Sequence, residues 1–358
     1  MAVLDRPLTL RGGLVIPNRV AVAAMTNLQS HPDGLLSDEE LTWLARRADG
    51  GFGLVATCAA YVALDGKAWP GELGIDRDAC LPGLTRLAAR LHQGGATCMV
   101  QLFHGGVRAD PALTGTPTWS ASTWTEDAPG FTPPRIGTLD DIHRTIDAFA
   151  VAAARAEAAG FDGVELHGAH GYLLSQFLSR TMNPRDDGWG GDLAGRARLV
   201  RECVRAVRAR VSARFGVGVR LSFEDFGQAR GMDLDDNLAV ARWLADDGAD
   251  FIHVSLWDVT RNTAKRPDAH ALPLVREVLP ADVAIFTAGK IWTRAEAEAV
   301  LAKGADVVAL GRSGILNPDW PRDEHVTRPP VTRVQLAERA VSPVFADYLT
   351  KWKNFVSD

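Results

Sequence analysis

Short apolar runs rich in β-branched residues alternate along this chain with longer segments in which apolar positions recur every three or four residues. The short runs fall at 19–24, 53–57, 97–102, 163–166, 216–221, 251–254, 283–287 and 307–310, and each is predicted as a strand. The periodic segments include 37–49, 81–93, 139–159, 194–211, 234–247 and 293–303, predicted as helices. Strands alternating with helices are the pattern of βαβ units around a parallel sheet. Eight strands with no second compact region predict one α/β domain over residues 1–358, a (β/α)8 TIM barrel spanning about 18–340 with a tail at 341–358.

Ahead of the first strand, Leu8 to Ile16 turns at Gly12-Gly13 and is predicted as a small hairpin capping the far end of the barrel. Two connections are unusually long: 103–137 after the third strand, with Trp119, Trp124 and Phe131, and 255–271 after the sixth, with Trp257, Arg261, Lys265 and Arg266. Loops of this length serve as binding loops or as surface decoration and oligomer contacts. Trp119, Trp124 and Trp257 are expected to shape an apolar pocket mouth. The three basic residues fit either a cofactor phosphate or a soluble surface.

A net charge of −5 argues against a nucleic-acid partner. The arginine-rich stretch 196–214 has Leu199, Cys203, Val207 and Val211 at helical spacing and reads as the solvated face of a helix. No apolar run is long enough for a membrane span, and the first residues lack a secretory pattern, so a cytoplasmic protein with no membrane partner is expected. Cys58, Cys80, Cys98 and Cys203 are scattered, without disulfide, zinc or iron-sulfur spacing.

In such a barrel, functional groups gather where strands end. After the fourth strand stand His167, His170 and Tyr172, two imidazoles that can donate to a substrate oxygen near neutral pH and a phenol that arrives protonated. That set suits polarising a carbonyl while protonating a neighbouring carbon. A His-x-x-His metal site, which lacks acidic or thiol partners, and a pair of core histidines are the competing readings. Other strand ends supply Thr26, Ala60, Gln101 and Arg220: a hydroxyl, a small residue, an amide and a cation suited to an isoalloxazine ring. Alternatively, Arg220 bridges to Glu165 and Gln101 is a satisfied interior amide. Ala288-Gly289-Lys290 and Gly311-Arg312-Ser313 end the last two strands, where backbone N–H groups and a guanidinium can hold a phosphate. No Gly-x-Gly-x-x-Gly follows a strand, so a nicotinamide donor would enter the main pocket itself.

Taken together, these residues closely resemble the old yellow enzyme family of FMN-dependent ene-reductases, from about Leu8 to Asp323. The similarity is carried by Pro17-Asn18-Arg19-Val20 leading to Ala24-Met25-Thr26, by Val100 to Gly106, and by His167 to Arg180 with Asn183-Pro184-Arg185-Asp186-Asp187. It continues through Gly190-Gly191, Arg196, Arg198, Val219-Arg220-Leu221-Ser222, Gly289 and Gly311-Arg312. The resemblance implies an FMN site built from Ala24, Met25, Thr26, Ala60, Gln101, His167, Arg220, Ala288, Gly289, Lys290, Gly311 and Arg312. Within it, Thr26 would lie near flavin O4, Gln101 on the pyrimidine edge and Arg220 near N1 and O2. His167 and His170 would bind the electron-withdrawing group, and Tyr172 would donate the proton.

The implied reaction is a ping-pong cycle in which NADPH or NADH reduces the flavin and leaves, and an enone or other activated alkene is then reduced in the same pocket. A redox-neutral double-bond isomerase needs the same three side chains, and a non-catalytic flavin-binding scaffold would have no use for them. A sugar-phosphate enzyme would use only the Gly289 and Arg312 region. Thr26 matches the yeast and plant branch, whereas the His167/His170 pair looks bacterial. Leu28 stands where relatives often carry a tyrosine, Trp189-Gly190-Gly191-Asp192 and Ala194-Gly195-Arg196 depart from the usual helix-capping sequence, and the tail lacks the arginine motif some relatives insert into a neighbour. A homo-oligomer is compatible with the sequence, but its architecture does not carry over from the family.

Overall fold

A computed structural model describes residues 2–126, 131–323 and 325–357. Its centre is a closed barrel of eight parallel strands: β1 (Val20–Val22), β2 (Leu54–Tyr61), β3 (Thr97–Phe103), β4 (Gly163–Gly168), β5 (Gly216–Leu221), β6 (Phe251–Ser255), β7 (Ala284–Ala288) and β8 (Val307–Leu310). Each strand pairs with the next, and β8 returns to β1. The helices that follow them in turn are α1 (Asp38–Asp49), α2 (Leu81–Gln93), α3 (Leu139–Ala158), α4 (Leu193–Arg210), α5 (Leu234–Asp246), α6 (Ala271–Val278), α7 (Arg294–Ala302) and the short α8 (Arg312–Leu316). Their starts follow from local chemistry: Ser37, Asp192 and Asp233 cap α1, α4 and α5 through side-chain oxygens, and Thr138 and Thr293 open capping boxes on α3 and α7.

One apolar core lies between strands and helices; a second fills the barrel's N-terminal end. There the predicted hairpin forms, Leu8–Thr9 antiparallel to Val15–Ile16, and packs Leu8, Leu10, Leu14 and Ile16 beneath Leu54, Met99, Phe251 and Phe286. Nearer the C-terminal end the interior turns polar, because the strand register aligns Gln101 with Glu165 and, one layer up, His167 with Arg220 and His253. Among the described residues no helix is long and apolar enough to cross a membrane, and all four cysteines are free and buried.

The arginine-rich stretch 196–214 keeps its solvated face, with Arg198, Arg205, Arg210 and Arg214 exposed, and five of its arginines are paired within the chain: Arg196 with Asp236, Arg201 and Arg205 with Asp247, Arg208 with Asp250, and Arg210 with Asp147. One expectation for the surface needs correction. Trp119 in the 103–137 loop is buried, edge-on to Phe177, with its Nε1 donating to Asp65 at 3.0 Å, so it supports the loop from within. Trp124 is turned to Glu126, and residues 127–130 of this loop lie outside the described ones. Only Trp257 of the three tryptophans borders the main cavity. In the 255–271 loop, Lys265 and Arg266 are tied to Asp233 and Asp235 around the start of α5, while Arg261 borders a side cavity.

Candidate active site

Two cavities open at the C-terminal ends of the strands and share Ala24, Met25, His170, Arg220 and Trp352. The larger, about 600 Å³, runs from these shared residues to Ala288, Gly289, Lys290, Gly311 and Arg312. The smaller, about 240 Å³, gathers Thr26, Gln101, His167 and Tyr172.

His167 is the penultimate residue of β4, and the chain then turns through His170 and Gly171 in left-handed conformations, φ 61° and 79°. A side chain on Gly171 would drive its Cβ to 2.4 Å from the Gln228 carbonyl oxygen. A non-glycine residue in this region costs about 1–3 kcal/mol and persists where its surroundings hold it. His170 is held by its backbone N–H donating to Ser222 Oγ at 3.0 Å and by its Nε2 lying 2.8 Å from Ser255 Oγ. The turn stacks the rings edge-on, with centroids 4.9 Å apart between His167 and His170 and 4.9 Å between His167 and Tyr172. Phe103 closes against Tyr172 at 4.5 Å, and Trp69 packs on both rings. Behind Trp69, the buried Glu72 carboxyl accepts from the Ala68 backbone N–H at 2.7 Å.

The electrostatics keep the donors neutral. Burial, reinforced by the nearby Arg220 charge, pushes the His167 imidazole down to about 3 and His170 well below its ordinary value. Burial raises the Tyr172 phenol, so it stays protonated. Glu165, one layer below, accepts from Gln101 Nε2 at 2.7 Å and lies 2.6 Å from His253 Nδ1. Burial alone would raise this carboxyl, but His253, Arg220 and Gln101 outweigh it and hold it below the usual carboxylate range. The alternative Arg220–Glu165 bridge is not formed: Arg220 donates through Nε to Ser255 Oγ at 3.1 Å, leaving the guanidinium bordering both cavities.

The expected residues therefore converge, with one exception. The side chain of Ala60 is fully buried in the outer core, and Ala59 faces the small cavity instead. A register shift between Ala56 and Ala59 in β2 reverses the alternation: Leu54 points inward and Val55 outward, but Cys58 and Ala60 point outward and Ala59 inward. Trp69, Tyr348 and Trp352 were not expected in the small cavity, nor Phe226 and Trp292 in the large one. The only sequence signal for the C-terminal pair is that Tyr348, in the last turn of a helix at Pro343–Leu349, and Trp352, just past its end, stand four residues apart.

The family model described as the NADH:flavin oxidoreductase / NADH oxidase family matches residues 4–329. The chain belongs to this family, the old yellow enzymes. Among curated relatives, it is 35% identical over 323 residues to the probable NADH-dependent flavin oxidoreductase YqiG of Bacillus subtilis, covering 88% of this chain and 86% of that protein. It is 32% identical to the NADH:acrylate oxidoreductase of Vibrio harveyi, matching 89% of this chain but only 33% of that longer protein. Among solved structures, an old yellow enzyme homologue from Zymomonas mobilis superposes with a TM-score of 0.82 at 27% identity, covering 96% of this chain and 99% of that one.

This old yellow enzyme is an FMN-dependent NAD(P)H oxidoreductase. The larger cavity fits that cofactor. Gly289, at φ 153°, lies so close to Leu256 that a Cβ would sit 2.7 Å from its carbonyl oxygen, while Gly311 leaves open space beyond Met25 Sδ at 3.5 Å. Arg312 is exposed at this end with its charge available for a phosphate, and Lys290 stands beside it, paired with Asp258 at 3.0 Å.

Proposed function

We propose that this old yellow enzyme is an ene-reductase that reduces the C=C bond of enones and related activated alkenes. The observation that carries the reading is the convergence of two neutral imidazoles and one protonated phenol on a cavity of about 240 Å³. Bound FMN supplies hydride acceptance from NADH or NADPH and hydride donation to the alkene. His167 and His170 donate hydrogen bonds to the carbonyl oxygen, stabilising the negative charge that builds there as the β carbon is reduced. Tyr172 holds the proton that goes to the α carbon. Thr26, Gln101 and Arg220 are assigned to the ring of the cofactor, and Ala288, Gly289, Lys290, Gly311 and Arg312 to its phosphate side. The barrel and its C-terminal segment act as one FMN-binding domain, since Phe345, Leu349 and Phe355 share the main core. The acrylate oxidoreductase among the relatives, named for an activated alkene, supports the substrate class.

The test is an anaerobic visible spectrum of the purified protein, titrated with NADH and NADPH and then with 2-cyclohexenone. Bleaching of the flavin band by one nicotinamide and its return on adding the enone is the expected result. A flavin that bleaches but is not reoxidised would overturn the reductase assignment in favour of double-bond isomerisation or another acceptor.

A further inference from the structure

The Ser255 hydroxyl sits between two groups of the site, 3.1 Å from Arg220 Nε and 2.8 Å from His170 Nε2, and is buried with 2% of its surface exposed. A guanidinium nitrogen can only donate, so Ser255 Oγ accepts from Arg220. The remaining Ser255 proton has no acceptor among the described residues other than His170 Nε2. Using every proton therefore makes Ser255 the donor and Nε2 the acceptor, and the one proton of a neutral His170 ring is left on Nδ1. His167 is set the other way. The Ala169 backbone N–H, also only a donor, reaches His167 Nδ1 at 3.3 Å, which leaves the His167 proton on Nε2.

We infer that Ser255 is a positioning residue that locks His170 as the Nδ1–H tautomer, so that the two histidines offer N–H donors from opposite ring nitrogens to one substrate oxygen. Without this hydroxyl, His170 is free to put its proton on Nε2 and present a lone pair where a donor is needed. Ser255 thus couples Arg220, assigned to the flavin edge, to one of the two oxygen-directed donors. The consequence for alkene binding rests on the ene-reductase reading; the tautomer does not.

The experiment is 15N NMR of the full-length, FMN-loaded protein labelled at histidine, with His167→Asn and His170→Asn variants assigning the signals. The wild type should show His170 protonated at Nδ1 and His167 at Nε2. Ser255→Ala should shift His170 toward the Nε2–H form, and Ser255→Thr, which keeps the hydroxyl, should restore the wild-type pattern. An Nε2–H signal for His170 in the wild type, or an unchanged one in Ser255→Ala, overturns the lock. In parallel, Ser255→Ala should weaken the enone's half-saturation in flavin reoxidation by about tenfold, the loss of one net hydrogen bond, with recovery in Ser255→Thr. If the tautomer shifts in Ser255→Ala and half-saturation does not, the lock stands and its role in substrate binding falls; if no enone reoxidises the flavin at all, it is the ene-reductase reading that fails.

Discussion

At the N-terminal end of the barrel Asp162, Asp250 and Asp306 each stand one residue ahead of an even-numbered strand and take the backbone N–H of the strand before it: Cys98 at 2.8 Å, Val217 at 2.9 Å and Ile285 at 2.8 Å. Each carboxylate also meets a basic partner, His92, Arg208 or Arg276. Inside this end the hairpin's apolar residues pack beneath the stacked rings of Phe251 and Phe286. At the C-terminal end His167, His170, Tyr172 and Arg220 face cavities, and His170 and Lys290 hold positive φ values. The three carboxylates are thus fully engaged within the fold where it is closed, while the donors at the open end face cavities. The contrast predicts that substitutions at the two ends fail differently, one in stability and the other in rate.

The largest effect is expected at the closed end. Asp250→Ala strips the carboxylate from Arg208 and leaves the Val217 N–H without its acceptor inside the barrel wall. Removing one partner of a buried pair costs about 3–5 kcal/mol, so the denaturant midpoint should fall sharply while the folded fraction keeps its enone turnover. A variant that stayed stable but lost activity would break the division between the two ends.

Next comes the open end. His167→Ala should retain FMN and its melting temperature but slow flavin reoxidation by an enone about 10²–10³-fold, as expected for one lost oxyanion donor. Stopped-flow measurement of the oxidative half-reaction separates this from a loss of cofactor. An unchanged rate would remove His167 from the oxygen-binding role.

The same contrast explains how much was legible beforehand. Strand and helix positions follow from periodicity, and the chemistry-bearing strand ends from residue type, so the barrel and the polar constellation around His167 could be read directly. The acids of the closed end could have been found as well. Gly160-Phe161-Asp162, Gly248-Ala249-Asp250 and Gly304-Ala305-Asp306 form a repeat in which a positive-φ glycine ends a helix and the aspartate opens a strand. What escaped depends on three-dimensional register or distant packing. The bulge in β2 exchanges Ala60 for Ala59 by shifting one residue out of the pleat, and nothing in the local sequence around Ala56 marks it. Tyr348 and Trp352 reach the small cavity because the C-terminal segment folds back, with Phe345 and Leu349 in the core and Val331 bridged to Val356. Trp119 reads in sequence as a loop aromatic available for binding, but its partners Asp65 and Phe177 lie far along the chain.

The smallest of these effects is also the most discriminating, because it uses pH to ask which end is lost first. His167 has its folded value pushed down to about 3, against an ordinary value of 6.5. Between those values the unfolded chain binds a proton that the folded chain does not, so stability falls as pH falls through 6.5 and is highest above it. By pH 5 the penalty is about 2 kcal/mol for one such imidazole, taking the unfolded value as ~6.5. Thermal unfolding at pH 8 and pH 5 should show a smaller acid loss for His167→Asn, which has no proton to gain, than for the wild type. Asp250→Ala should instead lower both points, because the acceptor of the Val217 N–H and the partner of Arg208 are lost at either pH. Equal acid losses in wild type and His167→Asn would mean that the imidazole is not held neutral by the fold, and the neutral-donor account of the cavity would fail with it.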